Sequence, residues 1–372
     1  MNTAAIEDRL ERIRKKVEAG LRLSAADGEF LYREDVDLHA VGELADLVRQ
    51  RKNADVVYYN LNMHLNPTNI CMYRCTLCAF SCDADDRRAY TMSDKEILAR
   101  GQKAVDAGCT ELHIVGGVHP EMPFDWYLNI IAQLHEAYPR LHLKAWTAVE
   151  ITRFAEIAAR SARTIITELI RAGLGSLPGG GAEIFAPEIR QQICPRKASG
   201  QAWLNTHRAA HQLRLRTNAT MLYGHLEQVE HRIDHLVALR QLQDVTGGFQ
   251  AFIPLAFHPQ NTRLAHLPKP SELLTLRTMA VSRLMLDNFE HIKAFWVSLG
   301  VPTAQAALGY GADDLDGTVH YELIHHEAGA KSPRGLSVDE IRALIAEAGR
   351  QPVERDTLYR RVRRDGVNWE LL

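Results

Sequence analysis

Short apolar segments alternate with longer amphipathic segments along the chain from residue 56 onward. The short segments have the length and composition of buried strands, and the stretches between them have the residue spacing of amphipathic helices. The predicted strands cover residues 56–61, 112–115, 141–146, 174–177, 217–223, 249–257, 291–297 and, with a weaker pattern, 307–310. Strands that alternate with helices form a parallel sheet, because each connection must return the chain to the same direction.

Seven or eight strand–helix units predict an α/β fold, a complete or nearly complete (β/α)8 TIM-type barrel. The alternative is an open, doubly wound sheet. Polar and glycine-rich motifs follow nearly every predicted strand. This recurrence favours the barrel, in which the loops after all strands meet at one end.

Helical patterns flank the predicted barrel. Apolar residues recur at three- and four-residue spacing from Ile6 to about Lys52, and Ser24 with Asp27 has the pattern of a capping box that opens a second helix. A further helix is predicted over residues 338–349. We therefore predict an N-terminal helical extension (1–52), a barrel (53–335) and a C-terminal helical extension packed on the barrel (336–372).

Composition and cysteine placement exclude several classes of protein. The formal net charge of −2 gives no indication of the basic surface that binds nucleic acid. The sequence contains no run of 18 or more apolar residues, so it predicts no membrane span. The charged N-terminus lacks the apolar segment of a signal peptide. Most cysteines cluster within residues 71–82, which is typical of a metal site in a reducing compartment, so we predict a cytoplasmic protein. Cys109 and Cys194 lie apart and are predicted to be buried thiols.

The cysteine-rich segment after the first predicted strand carries the strongest functional signal. Cys71, Cys75 and Cys78 have the spacing Cys-x3-Cys-x2-Cys, and three thiolates so placed can bind one face of a cuboidal iron–sulfur cluster. The fourth iron then has no protein ligand and can bind a substrate. A zinc site with Cys82 as the fourth ligand and a four-cysteine ferredoxin-type site remain alternatives.

Polar and glycine residues after the other strands are candidate ligand contacts. Gly116 and Gly117 follow the second strand, where the absence of a Cβ lets the backbone approach a ligand. Glu183 comes directly after three glycines, and its carboxylate is a candidate to bind the ribose hydroxyls or the ammonium of a cofactor; a tight turn alone would also explain the glycines. His258 follows the sixth strand and is a candidate substrate contact, although a lone histidine is more often structural.

The cysteine spacing, with the apolar Leu77 before the third cysteine, resembles the signature of the radical S-adenosylmethionine (SAM) superfamily. The resemblance implies a [4Fe–4S] cluster held by the three cysteines, with the open iron bound to the methionine moiety of SAM and Leu77 near the adenine. It also implies that Gly116 and Gly117 bind the methionine ammonium and that the fifth strand contacts the adenosyl group. The candidate residues on and after that strand are Asn218, Thr220, Tyr223 and His225.

Longer motifs are more specific than the superfamily signature. They cover residues 64–71, 112–117, 177–187, 219–225 and 311–318, and together they resemble the aminodeoxyfutalosine synthase family of the futalosine route to menaquinone. The related cyclic dehypoxanthine futalosine synthase family has a Ser-Pro-Pro-Glu-like segment where this chain has Trp-Thr-Ala-Val-Glu at 146–150. A deazaflavin-cofactor synthase family shares the Tyr-Gly-His segment but differs in its fourth- and sixth-strand motifs.

The resemblance implies a transferase that consumes SAM as a co-substrate. In the family reaction the 5′-deoxyadenosyl radical adds to 3-[(1-carboxyvinyl)oxy]benzoate, and rearrangement with loss of one carboxylate gives 6-amino-6-deoxyfutalosine. Flavodoxin or ferredoxin is the implied electron donor. The alternatives are the cyclase or another hydrogen-abstracting radical SAM enzyme, and a zinc-stabilised barrel without catalytic activity.

A substrate with two carboxylates needs cationic partners inside an apolar barrel, because an unpaired buried carboxylate is costly. Arg283 is one candidate, since it interrupts an apolar run. Lys144 and Lys293 are others, each in a predicted strand. A long side chain whose charged end reaches solvent is the alternative for all three.

Overall fold

Three helices precede the barrel in the computed structural model, which describes residues 3–372. They are α1 (Thr3–Glu18), α2 (Ala25–Leu31) and α3 (Leu38–Asn53). The predicted capping box at the start of α2 is confirmed, because the Ser24 side chain accepts the Asp27 N–H and the Asp27 carboxylate accepts the Ser24 N–H. The first two residues of the predicted extension 1–52 lie outside the described residues.

Within residues 3–372, nine strand segments form the barrel wall, and the first two are halves of one strand interrupted at Leu61. They are β1 (Val56–Asn60), β2 (Asn62–Leu65), β3 (Glu111–Ile114), β4 (His142–Ala145), β5 (Leu174–Ser176), β6 (Thr217–Tyr223), β7 (Phe249–Ala256), β8 (His291–Ile292) and β9 (Asp314–Gly317). The wall therefore contains eight strands.

The strands pair in parallel around the whole barrel. β2 to β5 form one consecutive run, and β6 to β8 form another. Single bridges from Leu177 to Thr217 and from Lys293 to Asp314 connect the two runs to their neighbours. Tyr58 pairs with Asp314, which joins the first strand to the last. The sheet closes on itself, so the predicted (β/α)8 barrel is confirmed and the open sheet is excluded.

Helices connect the strands and cover the outside of the barrel. They are α4 (Asp94–Asp106), α5 (Phe124–Ala137), α6 (Ala148–Ile157), α7 (Ala162–Ala172), α8 (Pro187–Ile193), α9 (Gly200–Gln212), α10 (Val229–Thr246), α11 (Glu272–Met285), α12 (Trp296–Leu299), α13 (Val301–Ala307) and α14 (Ile324–Glu327). Within residues 3–372, no helix has both the length and the apolar character needed to cross a membrane.

The last two predicted strands differ from those of the structure. Residues 291–297 are extended only in β8, and α12 begins at Trp296. Residues 307–310 form the end of α13 and the turn after it, whereas the eighth strand is β9. A short apolar run cannot be assigned to a strand or a helix by periodicity alone. The sequence of β9 lacks such a run, because two of its four residues are aspartates.

The C-terminal extension is helical only in α15 (Val338–Glu347). It continues as β10 (Gln351–Glu354) and as a hairpin of β11 (Val362–Asp365) and β12 (Asn368–Leu371). β10 pairs in parallel with β1, with Gln351 opposite Val56. The prediction of a helical extension over 336–372 is therefore wrong beyond α15, and the division of the chain at residues 52/53 and 335/336 stays a prediction.

Two clusters of buried apolar side chains fill the space around the barrel wall. One lies between β2–β5 and the helices α4–α7, and the other joins α1–α3, α10, α11 and α15 to the remaining strands. The inside of the barrel is different, because it contains buried charged pairs such as Lys144 with Glu111. Charges inside an otherwise apolar fold mark the position of the candidate site.

Candidate active site

A cavity of about 290 Å³ opens at the carboxyl ends of the strands. The loops after β2, β3, β4, β5 and β7 all contribute to its lining. Twelve of the predicted site residues line it: Cys71, Cys75, Leu77, Cys78, Gly116, Gly117, Lys144, Glu183, Asn218, Thr220, His258 and Lys293. This is the end of a (β/α)8 barrel at which active sites are found.

The cysteine loop is held by backbone hydrogen bonds to three neighbouring segments. The Cys71 N–H donates to the Cys82 carbonyl at 3.1 Å, and the Met72 N–H donates to the Val118 carbonyl at 2.9 Å. The Thr76 N–H donates to the Ile193 carbonyl at 2.9 Å. The loop therefore has a fixed path, which places its three predicted ligands at one end of the cavity.

Gly116 and Gly117 allow the loop after β3 to lie directly against the cysteine loop. A Cβ on Gly117 would lie 2.2 Å from the Ile70 carbonyl oxygen, and one on Gly116 would lie 2.9 Å from the Thr68 carbonyl oxygen. Both distances are shorter than a van der Waals contact with fixed backbone. At this point the two glycines are required by the close approach of two loops, whether or not they also bind a ligand.

The thiols of the cysteine loop fit an iron–sulfur cluster better than a single zinc ion. Cys71, Cys75 and Cys78 are free thiols on the cavity wall. Cys82 is buried, does not line the cavity and has its sulfur 3.8 Å from the Asn69 carbonyl oxygen. Among residues 3–372, no three His, Cys, Asp or Glu side chains surround one point as ligands of a single ion would. A cuboidal cluster does not require such convergence, because each thiolate binds a different iron.

The other two cysteines do not line the cavity. Cys109 and Cys194 are 4% and 1% exposed, so the prediction of buried thiols is confirmed. Burial raises the pKa of the Cys109 thiol to about 12, which keeps it protonated and unreactive near neutral pH.

Glu183 is paired with a lysine that the sequence analysis missed. Its carboxylate accepts a hydrogen bond from the Lys197 ammonium, and both side chains are mostly buried on the cavity wall. Burial opposes ionisation of Glu183, but Lys197 holds the pKa of the carboxyl below its ordinary value. The backbone of Glu183 is in the left-handed region, with φ of +47°. A non-glycine residue there is strained, and such strain is common at functional sites.

Glu150 is a second acidic residue of the cavity, and unlike Glu183 it is not among the residues selected from the sequence. It lies in the first turn of α6, where its carboxylate accepts the Thr147 N–H at 2.6 Å and the Gly116 N–H at 3.3 Å. Burial raises the pKa of Glu150 to about 7 in spite of these bonds. A Thr-x-x-Glu capping box directly after a barrel strand was the available signal in the sequence.

Asn218 and Thr220 face the cavity from β6. The Thr220 hydroxyl donates to the Gly179 carbonyl at 2.7 Å, which fixes the glycine turn against the strand. A Cβ on Gly179 would lie 2.7 Å from the backbone of Ala219, so this position also requires glycine. The Asn218 Oδ1 atom is buried and has no hydrogen-bond partner in the described chain.

A second polar group lines the cavity from the strands of the barrel, not from the loops that follow them. The Lys144 Nζ lies 2.7 Å from Glu111 Oε2, and the Lys293 Nζ lies 3.1 Å from Asp316 Oδ1. Each lysine lines the cavity while its charge is balanced by a buried carboxylate. The rings of His64 and His113 stack beside them with centroids 4.6 Å apart.

The lining of the cavity thus includes two groups of polar side chains. We call the residues around Cys71, Cys75, Cys78 and Glu183 the cysteine zone, and those around Lys144 and Lys293 the lysine zone. Apolar side chains of the same lining include Val115, Val149, Leu222, Ile253, Leu255, Phe257 and Phe295. This arrangement can hold two polar ligands and exclude water from the space between them.

His258 lines the cavity but is occupied by a backbone contact. Its Nε2 atom is 2.7 Å from the Ser298 carbonyl oxygen, and its ring packs edge-on against His325. Burial lowers the pKa of His258 to about 4, so the ring is neutral near pH 7. It can offer an uncharged surface to a substrate but not a cation.

Three predicted site residues do not line the cavity. The Tyr223 hydroxyl donates to Thr275 at 3.0 Å, and the His225 ring lies against Glu227 and the Leu222 carbonyl. Arg283 is completely buried on α11, outside the barrel wall. Strand alternation turns the Tyr223 side chain outward, and the turn after β6 holds the His225 ring in place. Contact of these two residues with the cofactor, expected largely through the backbone, stays a prediction.

The contacts of Arg283 explain why a charged residue interrupts an apolar run. Its guanidinium donates to the Asp313 carboxylate and to the carbonyls of Gly311 and Glu290, the latter two at 2.8 and 3.1 Å. These contacts join α11 to the segment that precedes β9. Arg283 is a structural residue and not a substrate contact.

Comparisons with known proteins agree with this geometry. A family model described as the radical SAM superfamily matches residues 65–239, and one described as the CofH/MqnC C-terminal region matches residues 246–366. The fold is similar to that of methylornithine synthase, with a TM-score of 0.72 at 17% identity over 91% of this chain and 97% of that one. At this identity the likeness concerns the fold alone.

Two groups of relatives match nearly the whole chain. An aminodeoxyfutalosine synthase of Thermus thermophilus is 45% identical over 96% of this chain and 97% of its own length. A 5-amino-6-(D-ribitylamino)uracil–L-tyrosine 4-hydroxyphenyl transferase of Methanopyrus kandleri is 38% identical over 93% of this chain and 94% of its own. The match over residues 65–239 gives the superfamily, and the higher identity gives the family within it. This chain belongs to the aminodeoxyfutalosine synthase family of the radical SAM superfamily.

Proposed function

We propose that this radical SAM enzyme makes 6-amino-6-deoxyfutalosine from SAM and 3-[(1-carboxyvinyl)oxy]benzoate. The observation that carries the proposal is the 45% identity to an aminodeoxyfutalosine synthase over nearly the full length of both chains. The adenosyl radical from SAM adds to the enol ether double bond, and the adduct rearranges and loses one carboxylate. SAM is therefore consumed, and the whole adenosyl group enters the product.

Cys71, Cys75 and Cys78 are proposed as the ligands of the [4Fe–4S] cluster that the superfamily uses. When bound, the cluster supplies the electron that cleaves SAM. The support is that the three thiols lie together on the wall of one cavity and Cys82 does not. The surrounding apolar wall keeps water and other hydrogen donors away from the reacting atoms.

The remaining residues of the cysteine zone are proposed to orient SAM. Gly116 and Gly117 leave backbone close to the cysteines, and Glu183 supplies a carboxylate for hydroxyl or ammonium groups. Asn218 has an acceptor without a partner in the described chain, which a ligand donor could satisfy. Leu77 contributes an apolar surface beside the third cysteine.

The lysine zone is proposed to bind the benzoate substrate. Lys144 and Lys293 are the predicted cationic side chains that line the cavity. Each already has one carboxylate partner, and an ammonium has three donors, so each can also donate to a substrate carboxylate. His258 would lie along the aromatic ring as a neutral contact.

The reductant and the compartment are also proposals. A low-potential electron carrier such as flavodoxin or ferredoxin must supply the electron from outside the protein. The six cysteines are all free thiols, which suits the cytoplasm as a reducing compartment.

The decisive experiment follows the 5′-carbon of SAM. The enzyme is incubated anaerobically with SAM labelled at that carbon, a reductant and the enol ether, and the products are separated by mass. We expect the label in an adenine-containing product joined to the benzoate, with one methionine and one lost carboxylate per turnover. Free 5′-deoxyadenosine should be a minor side product.

Two other substrate mixtures test the competing assignments. With dehypoxanthine futalosine, a hydrogen-abstracting cyclase would place nearly all label in free 5′-deoxyadenosine. With 5-amino-6-(D-ribitylamino)uracil and L-tyrosine, a 4-hydroxyphenyl transferase would join the two. Turnover of either mixture without turnover of the enol ether would overturn the proposed function and leave the family fold intact.

Cysteine replacements test the ligand set separately. Cys71→Ala, Cys75→Ala and Cys78→Ala should each lose iron and activity, whereas Cys82→Ala should keep both because its sulfur does not line the cavity. Iron and sulfide content of the anaerobically purified variants gives the measurement. Retention of the cluster by Cys71→Ala together with its loss from Cys82→Ala would show that the assignment is wrong.

A further inference from the structure

Lys197 is a buried cation at the edge of the cysteine zone that the proposed chemistry does not use. It lies between α8 and α9, lines the cavity and has a side chain only 16% exposed. Its ammonium donates to the Glu183 carboxylate, whose side chain is 11% exposed. A buried ion pair is not retained for its stability alone, because desolvation offsets much of the attraction.

The segment that carries Lys197 is attached directly to the cysteine loop. The Ile193 carbonyl accepts the Thr76 N–H at 2.9 Å, and the Arg196 guanidinium donates to the Met72 carbonyl at 3.2 Å. The Lys197 N–H itself donates to the Cys194 carbonyl at 3.0 Å. These bonds hold the segment of Lys197 against the cysteine loop between the first and third proposed ligands.

Arg190 fixes both members of the ion pair. Its guanidinium donates to the Ala182 and Ile184 carbonyls, which flank Glu183, and to the Ala198 carbonyl, which follows Lys197. The Leu222 N–H donates to the Glu183 carbonyl at 2.8 Å. Neither charge can therefore move far without breaking several buried hydrogen bonds.

The fixed charge of Lys197 can act on Cys75, because both side chains line the same cavity and interact electrostatically, while Glu183 balances part of the charge. Charges in a poorly solvated interior interact over longer distances than they do in water. The net charge and hydrogen bonding around an iron–sulfur cluster set its reduction potential.

We propose that Lys197 raises the reduction potential of the cluster that Cys75 helps to hold, and that Glu183 partly offsets this effect. The inference rests on the proposed ligand set. Reduction adds one electron from the external donor and breaks no bond, so it adds one negative charge next to the ammonium. Lys197 thus acts on the cluster through its charge and not as a ligand of the iron.

The test is a redox titration of the reconstituted enzyme without SAM, followed by electron paramagnetic resonance of the reduced cluster. At a fixed potential, Lys197→Met should lower the ratio of reduced to oxidised cluster about tenfold, which is about 59 mV for one electron. Glu183→Gln should raise that ratio, and Lys197→Met/Glu183→Gln should lie between the two single variants. Lys197→Arg should stay near the wild type, since it keeps the charge.

The signs of the shifts in reduction potential distinguish an effect of charge from a purely structural effect. A purely structural role predicts shifts of the same sign in both single variants, or equal potentials in all of them, and either result overturns the inference. The double variant leaves no buried charge without a partner, so it keeps the test open if Lys197→Met fails to fold. Absence of a cluster from the wild-type protein would instead refute the ligand set of the proposed function.

Discussion

Replacement of Arg283 by glutamine should lower the free energy of unfolding without affecting substrate binding. Arg283 and Asp313 are both fully buried, and their ion pair lies outside the catalytic cavity. The guanidinium also donates to the carbonyls of Gly311, Phe289 and Glu290. Glutamine is shorter and has two donors, so it cannot replace this set.

The cost of the change follows from what remains around Asp313. Breaking a buried ion pair by removing one partner costs about 3–5 kcal/mol. Asp313 keeps two donors, His291 Nδ1 at 2.6 Å and the Ile292 N–H at 2.8 Å. We therefore expect the lower end of that range, about 3 kcal/mol. A single domain has roughly 5–15 kcal/mol of stability, so the loss is large but not complete.

Urea unfolding of the apoprotein, followed by circular dichroism, measures the free energy of unfolding. The KM for the enol ether is measured in parallel on the reconstituted enzyme, where we expect no change. Arg283→Met with Asp313→Asn is the matched control, because it removes both charges and should recover part of the stability. An unchanged unfolding midpoint with a raised KM would refute the reasoning and return Arg283 to the substrate site.

Three further changes test the cavity. Gly117→Ala should reduce iron content and SAM affinity, because the new Cβ would lie 2.2 Å from the Ile70 carbonyl oxygen and displace the cysteine loop. Lys144→Met with Glu111→Gln should raise the KM for the enol ether about tenfold or more at unchanged iron content, since a charge-assisted hydrogen bond contributes about 1.5–3 kcal/mol. In the wild type, the free energy of unfolding should fall as the pH rises from about 5 to 7, because folded Glu150, with its pKa raised to about 7, keeps a proton that the unfolded chain releases. Glu150→Gln should remove this fall.

Each change has a control or a contradicting result. Gly180→Ala is the control for the glycine variant, because its nearest obstacle is a side-chain methyl 3.1 Å away. An unchanged KM in the double variant would remove Lys144 from the substrate site. For Glu150, the free energy of unfolding is compared with wild type at each pH. Parallel curves for the two proteins would contradict a raised pKa.

The sequence contained enough information to predict the barrel but not its last strand. Strands β1, β6 and β7 contain apolar, β-branched or aromatic residues in short runs, so their pattern is visible without tertiary information. Strand β2 (Asn62–Leu65) has a less apolar sequence and lies outside the predicted strand 56–61. Strand β9 has the sequence Asp-Leu-Asp-Gly and is buried only because charged partners reach it from elsewhere. Arg355, from the segment after β10, pairs with Asp314 at 2.7 Å. No local pattern can reveal a strand whose burial depends on residues far along the chain.

The candidate site shows the same division between local and distant information. The cysteines and the glycines are close together in sequence or occur in short motifs, so they could be selected in advance. Lys197 and Glu111 look like ordinary charged residues in the sequence, and only the fold shows that they are buried beside Glu183 and Lys144. A charge within an apolar run indicates a buried, paired residue, and Arg283 is one, but its partner Asp313 lies outside the barrel wall and is not a substrate.

The divided first strand has a consequence for how the chain acquires its structure. Val56 to Tyr59 pair with β10 on one side, and Tyr58 also pairs with β9 on the other. The first strand in the sequence therefore pairs with two strands that come more than 250 residues later. Contacts between such distant segments form slowly, because a long loop must close before they gain any energy. During synthesis β1 has no partner strand until residues 314–317 and 351–354 have been made. Until that point both edges of β1 are open to association with other chains, so this is the stage at which the protein most needs protection from aggregation.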